Sequence, residues 1–273
     1  MSAIVYTDLD GTMVGPRGCF FRSIDGGYTL EPAQALVDLH RAGGQLVLVS
    51  GRTRPQLIEA SRIFGADGYI AELGAVVGWD GGRQQEVLRG AMPYAYGTRT
   101  PMQVMAELGV VEDLFGRWPG LIEWHSPWHA GHEADAMLRG RVEVTAVDRW
   151  LTDRDLGWLG LRDNGVLPPR RATTLAPEAL PAHVYHLMPN GLSKGLAVAR
   201  DLERRGLSRG DAIAIGDSVS DLEMAPHVGQ MWIVPNGARH EHMAPLIAAH
   251  DNVRVAAADV GIGWAQAVRS ALR

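Results

Sequence analysis

The chain of 273 residues is 46% hydrophobic and 21% charged, the proportions of an ordinary globular protein with apolar material for one large domain or two modest ones. Its formal net charge of −5 and pI near 6.0 argue against a nucleic-acid binder, which carries a basic excess, yet leave room for a small anionic substrate met by local cations. The one cysteine, Cys19, has no second thiol to bridge, in keeping with a reducing cytoplasm; no apolar run suits a membrane span, and no basic-then-apolar order marks a signal peptide.

Ala3, Ile4, Val5 and Tyr6 read as a short buried strand running into Thr7-Asp8-Leu9-Asp10-Gly11-Thr12. Acids at i and i+2 leave a strand on the same side of the pleat, and the glycine allows a sharp turn after them. Two carboxylates so close repel each other unless a cation or a proton is shared. The alternative is a solvated, Asp-rich turn. The Gly-rich stretch from Met13 to Tyr28 reads as a loop or small hairpin folding over the mouth of this site. A helix opens at Glu31-Pro32 and shows Ala35, Leu36, Leu39 and Ala42 on one face. Gln45–Val49 is a second apolar strand ending in Ser50-Gly51-Arg52-Thr53, and Pro55 opens a helix through Phe64. Tyr69–Ala71 and Ala75–Gly78 are further strands. Strand, helix, strand, helix, strand, with near-continuous apolar strands, predicts a parallel sheet in an α/β fold.

The alternation is lost after Trp79. The next hundred or so residues hold Trp118, Trp124, Trp128, Trp150 and Trp158. They read as an inserted α+β domain over 84–182, leaving 1–83 and 183–273 as the core. Helices are expected at Pro101–Leu114 and Glu133–Leu138, and strands at Leu121–Trp124, Val142–Val147 and Trp158–Arg162. From His183 the regular pattern returns: a core strand to Met188, a helix from Ser193-Lys194 to Arg205, and a strand from Asp211 to Ile215 ending in Gly216-Asp217-Ser218-Val219-Ser220-Asp221. Then follow a strand Gln230–Val234, a loop Pro235-Asn236-Gly237, a helix to Ala249, a strand at Val253–Val255 and a helix Trp264–Leu272.

Each polar cluster (Asp8/Asp10, Ser50-Gly51-Arg52, Lys194, Asp217/Asp221) follows an apolar strand or heads a helix. In a parallel sheet such clusters meet at one edge. Acids there suit a hard, oxygen-liganded cation such as Mg²⁺, while Ser50, the Gly51 amide and Lys194 supply donors for phosphoryl oxygens.

In order and spacing, D-L-D-G-T, V-S-G-R, a K-G opening a helix, and G-D-S-x-S-D resemble the motifs of the haloacid dehalogenase-like phosphohydrolase superfamily. The insert resembles the α+β cap of its Cof-type branch, which includes sugar-phosphate phosphatases for sucrose phosphate, trehalose phosphate and mannosyl-3-phosphoglycerate, and phosphomannomutases. The resemblance implies a Rossmann-like core and a Mg²⁺-dependent phosphomonoesterase acting through an aspartyl-phosphate on a small phosphorylated metabolite. Asp8 is then the nucleophile and Asp10 the acid and base. Mg²⁺ is held by Asp8, the Asp10 backbone carbonyl and Asp217, and the phosphoryl group by Ser50, Gly51 and Lys194. Thr12, Arg52, Ser218, Asp221 and Asn236 support them. Ser220 stands where the family usually has Asn. A phosphomutase, or a non-catalytic binding protein on the same fold, are the rival readings.

Arg52 either guides substrate or pairs with a core carboxylate. Trp124, His125, Trp128 and His129 form a cap loop facing substrate, with tryptophans to stack on a sugar, or else a Trp-anchored structural loop. Pro127 and Gly131 disfavour a second metal site there. Arg139, Arg141, Arg162, Arg170 and Arg171 are the cap cations open to a second anionic group.

Overall fold

The computed structural model describes residues 4–167 and 174–272, so that Ala3, Arg170 and Arg171 lie outside the described residues. In chain order the elements are β1 (Ile4–Thr7), α1 (Glu31–Arg41), β2 (Gln45–Val49), α2 (Arg54–Phe64), β3 (Gly68–Ala71), β4 (Val76–Trp79) and β5 (Gln84–Val87). Next come α3 (Pro101–Glu107), α4 (Val110–Arg117), β6 (Ile122–Trp124), β7 (Ala136–Gly140), α5 (Val144–Thr152), β8 (Leu159–Val166) and β9 (His183–Pro189). The chain closes with α6 (Lys194–Arg205), β10 (Ala212–Gly216), α7 (Val219–Leu222), β11 (Gln230–Ile233), α8 (Pro235–Ala238), α9 (Met243–Ala248), β12 (Val253–Val255) and α10 (Val260–Ala271). Two compact units result: Met1–Glu86 with Ser193–Arg273, and Val87–Leu192. Among the described residues no helix is long and apolar enough to cross a membrane.

The first unit is built on an eight-stranded sheet in the order β12-β11-β10-β1-β2-β3-β4-β5. From β12 to β3 all neighbours are parallel, and β4 reverses against β3. The parallel strands are apolar along their length because helices cover both faces of such sheets. Their carboxyl ends share one edge, where the Asp8, Ser50 and Asp217 segments leave β1, β2 and β10. A second polar tie fixes α6 on this sheet. The buried Asp201 carboxylate accepts from Tyr6 Oη at 2.7 Å, Trp79 Nε1 at 2.5 Å and Arg205 Nε at 2.7 Å. The tie locks the register of the helix whose first residue is Lys194.

The second unit holds an antiparallel sheet in the order β6-β7-β9-β8. Ile122, Leu138, Leu161, Tyr185 and Leu187 on one face pack against Val104, Val110, Leu114, Val147 and Leu151 of its helices. The alternate positions on the strands carry Glu123, Arg139 and His186, with Asp135 just before β7. Asp135, fully buried, accepts from Nδ1 of both His132 and His186. The other ring nitrogen of His132 faces the Trp128 carbonyl at 3.2 Å.

Several expected elements differ. Glu133–Leu138 contains the start of β7, because Ala136 and Leu138 bury with a period of two against the helices. Val142–Val147 leads into α5 from Val144: Val144, Val147 and Leu151 repeat at helical spacing, and packing overrides the β-propensity of Val and Thr. The helix expected over Pro101–Leu114 breaks at Leu108-Gly109 into α3 and α4. Pro235-Asn236-Gly237 is a helical turn, and α10 begins four residues before Trp264. The strand from His183 pairs with β7 and β8, so the insert boundary placed at 182 falls one strand early, and that at 84 cuts off β5. Apolar strands of similar composition serve both sheets, and only pairing tells them apart.

Burial alone would raise the Asp135 pKa, but the charges and hydrogen bonds of His132 and His186 outweigh it and hold the carboxyl well below its ordinary value. Its stabilisation is thus complete above the unfolded value of 3.8 and is lost as pH falls through the lower folded value. Asp135→Asn is expected to cost about 3–5 kcal/mol at pH 7, as for breaking a buried ion pair. It should also flatten the acid limb of stability. Urea denaturation across pH checks both, and an unaltered midpoint would refute the charged triad.

Candidate active site

Asp8 follows β1 directly, and its backbone N–H donates to the Ile215 carbonyl of β10 at 2.9 Å. Gly11 then turns the chain with φ +87, and a Cβ there would lie 2.4 Å from Asp217 Oδ2. No residue but glycine satisfies both conditions. The buried Lys194 ammonium donates to Asp8 Oδ1 at 3.0 Å and to Asp221 Oδ1 at 2.6 Å. A cation in the first turn of a helix works against the helix dipole, and these two anions offset that. The other oxygen of Asp221 accepts from the N–H of Asp217 at 3.0 Å, and from the N–H and hydroxyl of Ser218 at 2.9 and 2.7 Å. Ser218 Oγ in turn lies 3.0 Å from Ser220 Oγ. Asp217 has longer contacts: Thr12 Oγ1 at 3.4 Å and Asn236 Nδ2 at 3.5 Å.

Asp8, Asp217 and Asp221 each bring a carboxylate oxygen within 4.8 Å of the others. Burial, then the charge of Asp221 and Asp10 against the opposing pull of Lys194, pushes the Asp8 carboxyl up to about 7. Asp217 is also raised well above its ordinary value, by burial first and then by Asp8 and Asp221. For Lys194 burial acts downward, but Asp221 and Asp8 more than reverse it and hold the ammonium protonated. One lysine among three acids leaves negative charge over. Asp221 is consumed by Lys194 and Ser218, so Asp8 and Asp217 are the acids left to face a cation. This all-oxygen donor set is of the kind hard divalent ions take.

Ser50 is buried beside them. Its N–H donates to the Ile70 carbonyl at 2.9 Å, and its hydroxyl accepts from the Arg52 N–H at 3.2 Å. The segment after β3 braces this loop through Glu72 N–H to the Arg52 carbonyl at 3.1 Å and Leu73 N–H to the Ser50 carbonyl at 3.2 Å. Glu72 and Leu73 both have positive φ, 51° and 54°, and bury fully or nearly so. Sequence reading missed this brace. Its only signal is an acid and a glycine, Glu72-Leu73-Gly74, where the chain should simply turn.

Asp10 points elsewhere. Its carboxylate is gripped by Arg52 through two bonds of 2.7 Å, and its side chain is 54% exposed, so the partner of Arg52 is not a core carboxylate. The loop after Met13 reaches this pair, with the Cβ position of Gly18 3.4 Å from Arg52 Nη2. In the second unit Trp124 packs into the helix-facing core, 5.0 Å from His129 in a stack and 5.8 Å from Phe115. Its ring is thus part of the packing that anchors the loop. His125 is buried, and Trp128 is half exposed. Arg139 is ion-paired with Glu123 at 2.6 Å.

A family profile for haloacid dehalogenase-like hydrolases matches residues 174–252, the stretch that carries Lys194, Asp217, Asp221 and Asn236. A phosphoglycolate phosphatase of Halobacterium salinarum is 39% identical over 56 residues, which is 20% of this chain and only 25% of that protein. One from Methanoculleus marisnigri is 28% identical over 232 residues, covering 84% of this chain and 82% of its own. The sucrose-phosphatase of Synechocystis, solved with sucrose and phosphate, superposes with a TM-score of 0.65 at 13% identity over 99% of this chain and 98% of that one, a likeness of fold. Paired aspartates after the first strand of an open α/β sheet, with a lysine and two more aspartates at the same edge, are the arrangement these comparisons are set beside. Over residues 174–252 the chain is similar to the haloacid dehalogenase-like hydrolase superfamily, and its fold is like that of solved haloacid dehalogenase-like hydrolases.

Without a cation, the folded protein keeps a proton on Asp8 between the unfolded value of 3.8 and about 7. Stability linked to Asp8 is then greatest below that window and falls as pH rises through it. The stability of the native protein in chelator, minus that of Asp8→Asn, should decline from pH 4 to about 7 and then level. Mg²⁺ should reduce the decline. A difference that is flat with pH in chelator would contradict the charge excess.

Proposed function

We propose that the protein is a Mg²⁺-dependent phosphomonoesterase that forms an aspartyl-phosphate on Asp8. The supporting observation is the Asp8–Lys194–Asp221 bridge with Asp217 alongside, at the carboxyl edge of the sheet. Asp8 and Asp217, with the backbone carbonyl of Asp10, would hold the metal. Bound there, Mg²⁺ would neutralise carboxylate and phosphoryl charge so that one anion can attack another.

The steps belong to the side chains. An Asp8 oxygen donates an electron pair to phosphorus, and the bond from phosphorus to the leaving alcohol breaks. Lys194, Ser50 and the Gly51 amide hold the phosphoryl oxygens. Asp10, protonated, gives its proton to the departing alkoxide. As carboxylate it then takes a proton from the water that attacks phosphorus, and inorganic phosphate leaves Asp8. Arg52 has to release Asp10 for this, since a guanidinium only donates and a protonated acid has just one acceptor oxygen left for it.

The unit Val87–Leu192 serves as the specificity cap in this reading. The substrate is a small phosphorylated metabolite of the sugar-phosphate or phosphoglycerate type. The names of the relatives, phosphoglycolate phosphatase and sucrose-phosphatase, support that range.

Phosphate release should be measured on a panel with 2-phosphoglycolate, sucrose phosphate, trehalose phosphate and mannosyl-3-phosphoglycerate, with Mg²⁺ and with chelator. Turnover is expected only with Mg²⁺. Asp8→Asn should abolish it, and Asp10→Asn should slow it about 10²–10⁴-fold, the usual share of a general acid–base. Activity persisting in Asp8→Asn would mean that the nucleophile is another group.

A further inference from the structure

Val260, the first residue of α10, has φ +39 and is buried. A β-branched residue in that region is a true outlier and costs about 1–3 kcal/mol, so its surroundings must impose the conformation. Its N–H donates to Asn236 Oδ1 at 3.0 Å. The other end of the same amide, Nδ2, donates to the Gly11 carbonyl at 2.8 Å and faces Asp217 Oδ2 at 3.5 Å. The amide cannot be turned round, because Val260 N–H needs an acceptor and the Gly11 carbonyl needs a donor. One side chain thus joins the turn after β1, the loop after β10 and the head of α10. The seat is tight: a Cβ on Gly237 would fall 1.8 Å from the Asp217 carbonyl oxygen. Asp217 has no short bond of its own in this network, its two side-chain donors standing at 3.4 and 3.5 Å.

We infer that Asn236 is a positioning residue for the cation site: it sets the Asp217 carboxylate and the Gly11 turn at a fixed separation, with α10 as its anchor. The inference rests on the reading of Asp8 and Asp217 as cation ligands. Asn236 itself touches no substrate. It acts by sparing the cation the work of ordering a loose carboxylate, as partners of metal ligands commonly do.

The test is Mn²⁺ binding, followed by loss of the free-ion electron paramagnetic resonance signal, together with thermal denaturation in chelator. Asn236→Ala should raise the Mn²⁺ Kd about 10-fold or more, the usual effect of losing a partner of a metal ligand. Val260→Gly relaxes the backbone while keeping the N–H, and should bind Mn²⁺ as the native protein does. Should Asn236→Ala fail to fold, Asn236→Ser carries the same expectation, since its hydroxyl can still meet Val260 but is too short to span to Gly11. A lowered Tm with an unchanged Kd would make Asn236 merely structural and overturn the inference. Absence of Mn²⁺ binding in the native protein would instead overturn the cation reading beneath it.

Discussion

A buried lysine held between two buried aspartates is the interaction on which the remainder of this structure turns. Lys194 comes from the head of α6, Asp8 from the end of β1 and Asp221 from the start of α7. Removing such charges from water is expensive, and only mutual pairing makes it tolerable. The pairing is incomplete by design of the residue count: Asp217 lies in the same cluster with no lysine of its own. On the proposed function, the surplus negative charge is what draws a cation, and then a phosphoryl group, to this sheet edge. The Asp201 clasp to Tyr6 and Trp79 sits two turns along α6 from Lys194. It keeps the helix from sliding and so keeps the ammonium between its acids.

The two aspartates of the opening motif have opposite surroundings. Asp8 is buried and its carboxyl is pushed up to about 7, whereas Asp10 is half exposed and tied to Arg52. Two acids one residue apart can divide nucleophilic and proton-transfer duties only if their environments differ. Here the difference arises from the pleat ending at β1. Asp8 stays within the sheet edge, while Asp10 has already entered the turn and meets the loop that leaves β2. Arg52 therefore holds the Asp10 carboxylate apart from the Lys194 bridge.

Much of this was legible in the chain. The parallel strands announce themselves as unbroken apolar runs, and each is followed at once by a polar cluster, so that their convergence follows from topology alone. Lys194, Asp217 and Asp221 were recognisable on that ground, and Asp8 and Asp10 from their spacing. The second unit was harder for physical reasons. Val144-Thr145-Ala146-Val147 has the composition of a strand, yet its apolar positions repeat at helical spacing once Leu151 is counted. Ala136 to Gly140 has helix-forming residues, but the alternate burial of a sheet decides it. The strand from His183 looks like a core strand in every local respect and differs only in its hydrogen-bonding neighbours. The bond from Arg52 to Asp10, the brace at Glu72-Leu73 and the reach of Asn236 to Gly11 are tertiary facts. They join residues from separate parts of the fold, and no local pattern encodes them.

The most direct test of the central claim is a crystal structure of the protein grown with Mg²⁺ and beryllium fluoride, a mimic of the phosphoryl group. The account predicts the metal against the carboxylates of Asp8 and Asp217, beryllium bonded to an Asp8 oxygen, and the fluorides facing Lys194 and Ser50. Metal and fluoride bound away from Asp8, or an Asp8 carboxylate still engaged only with Lys194 at saturating concentrations, would contradict it.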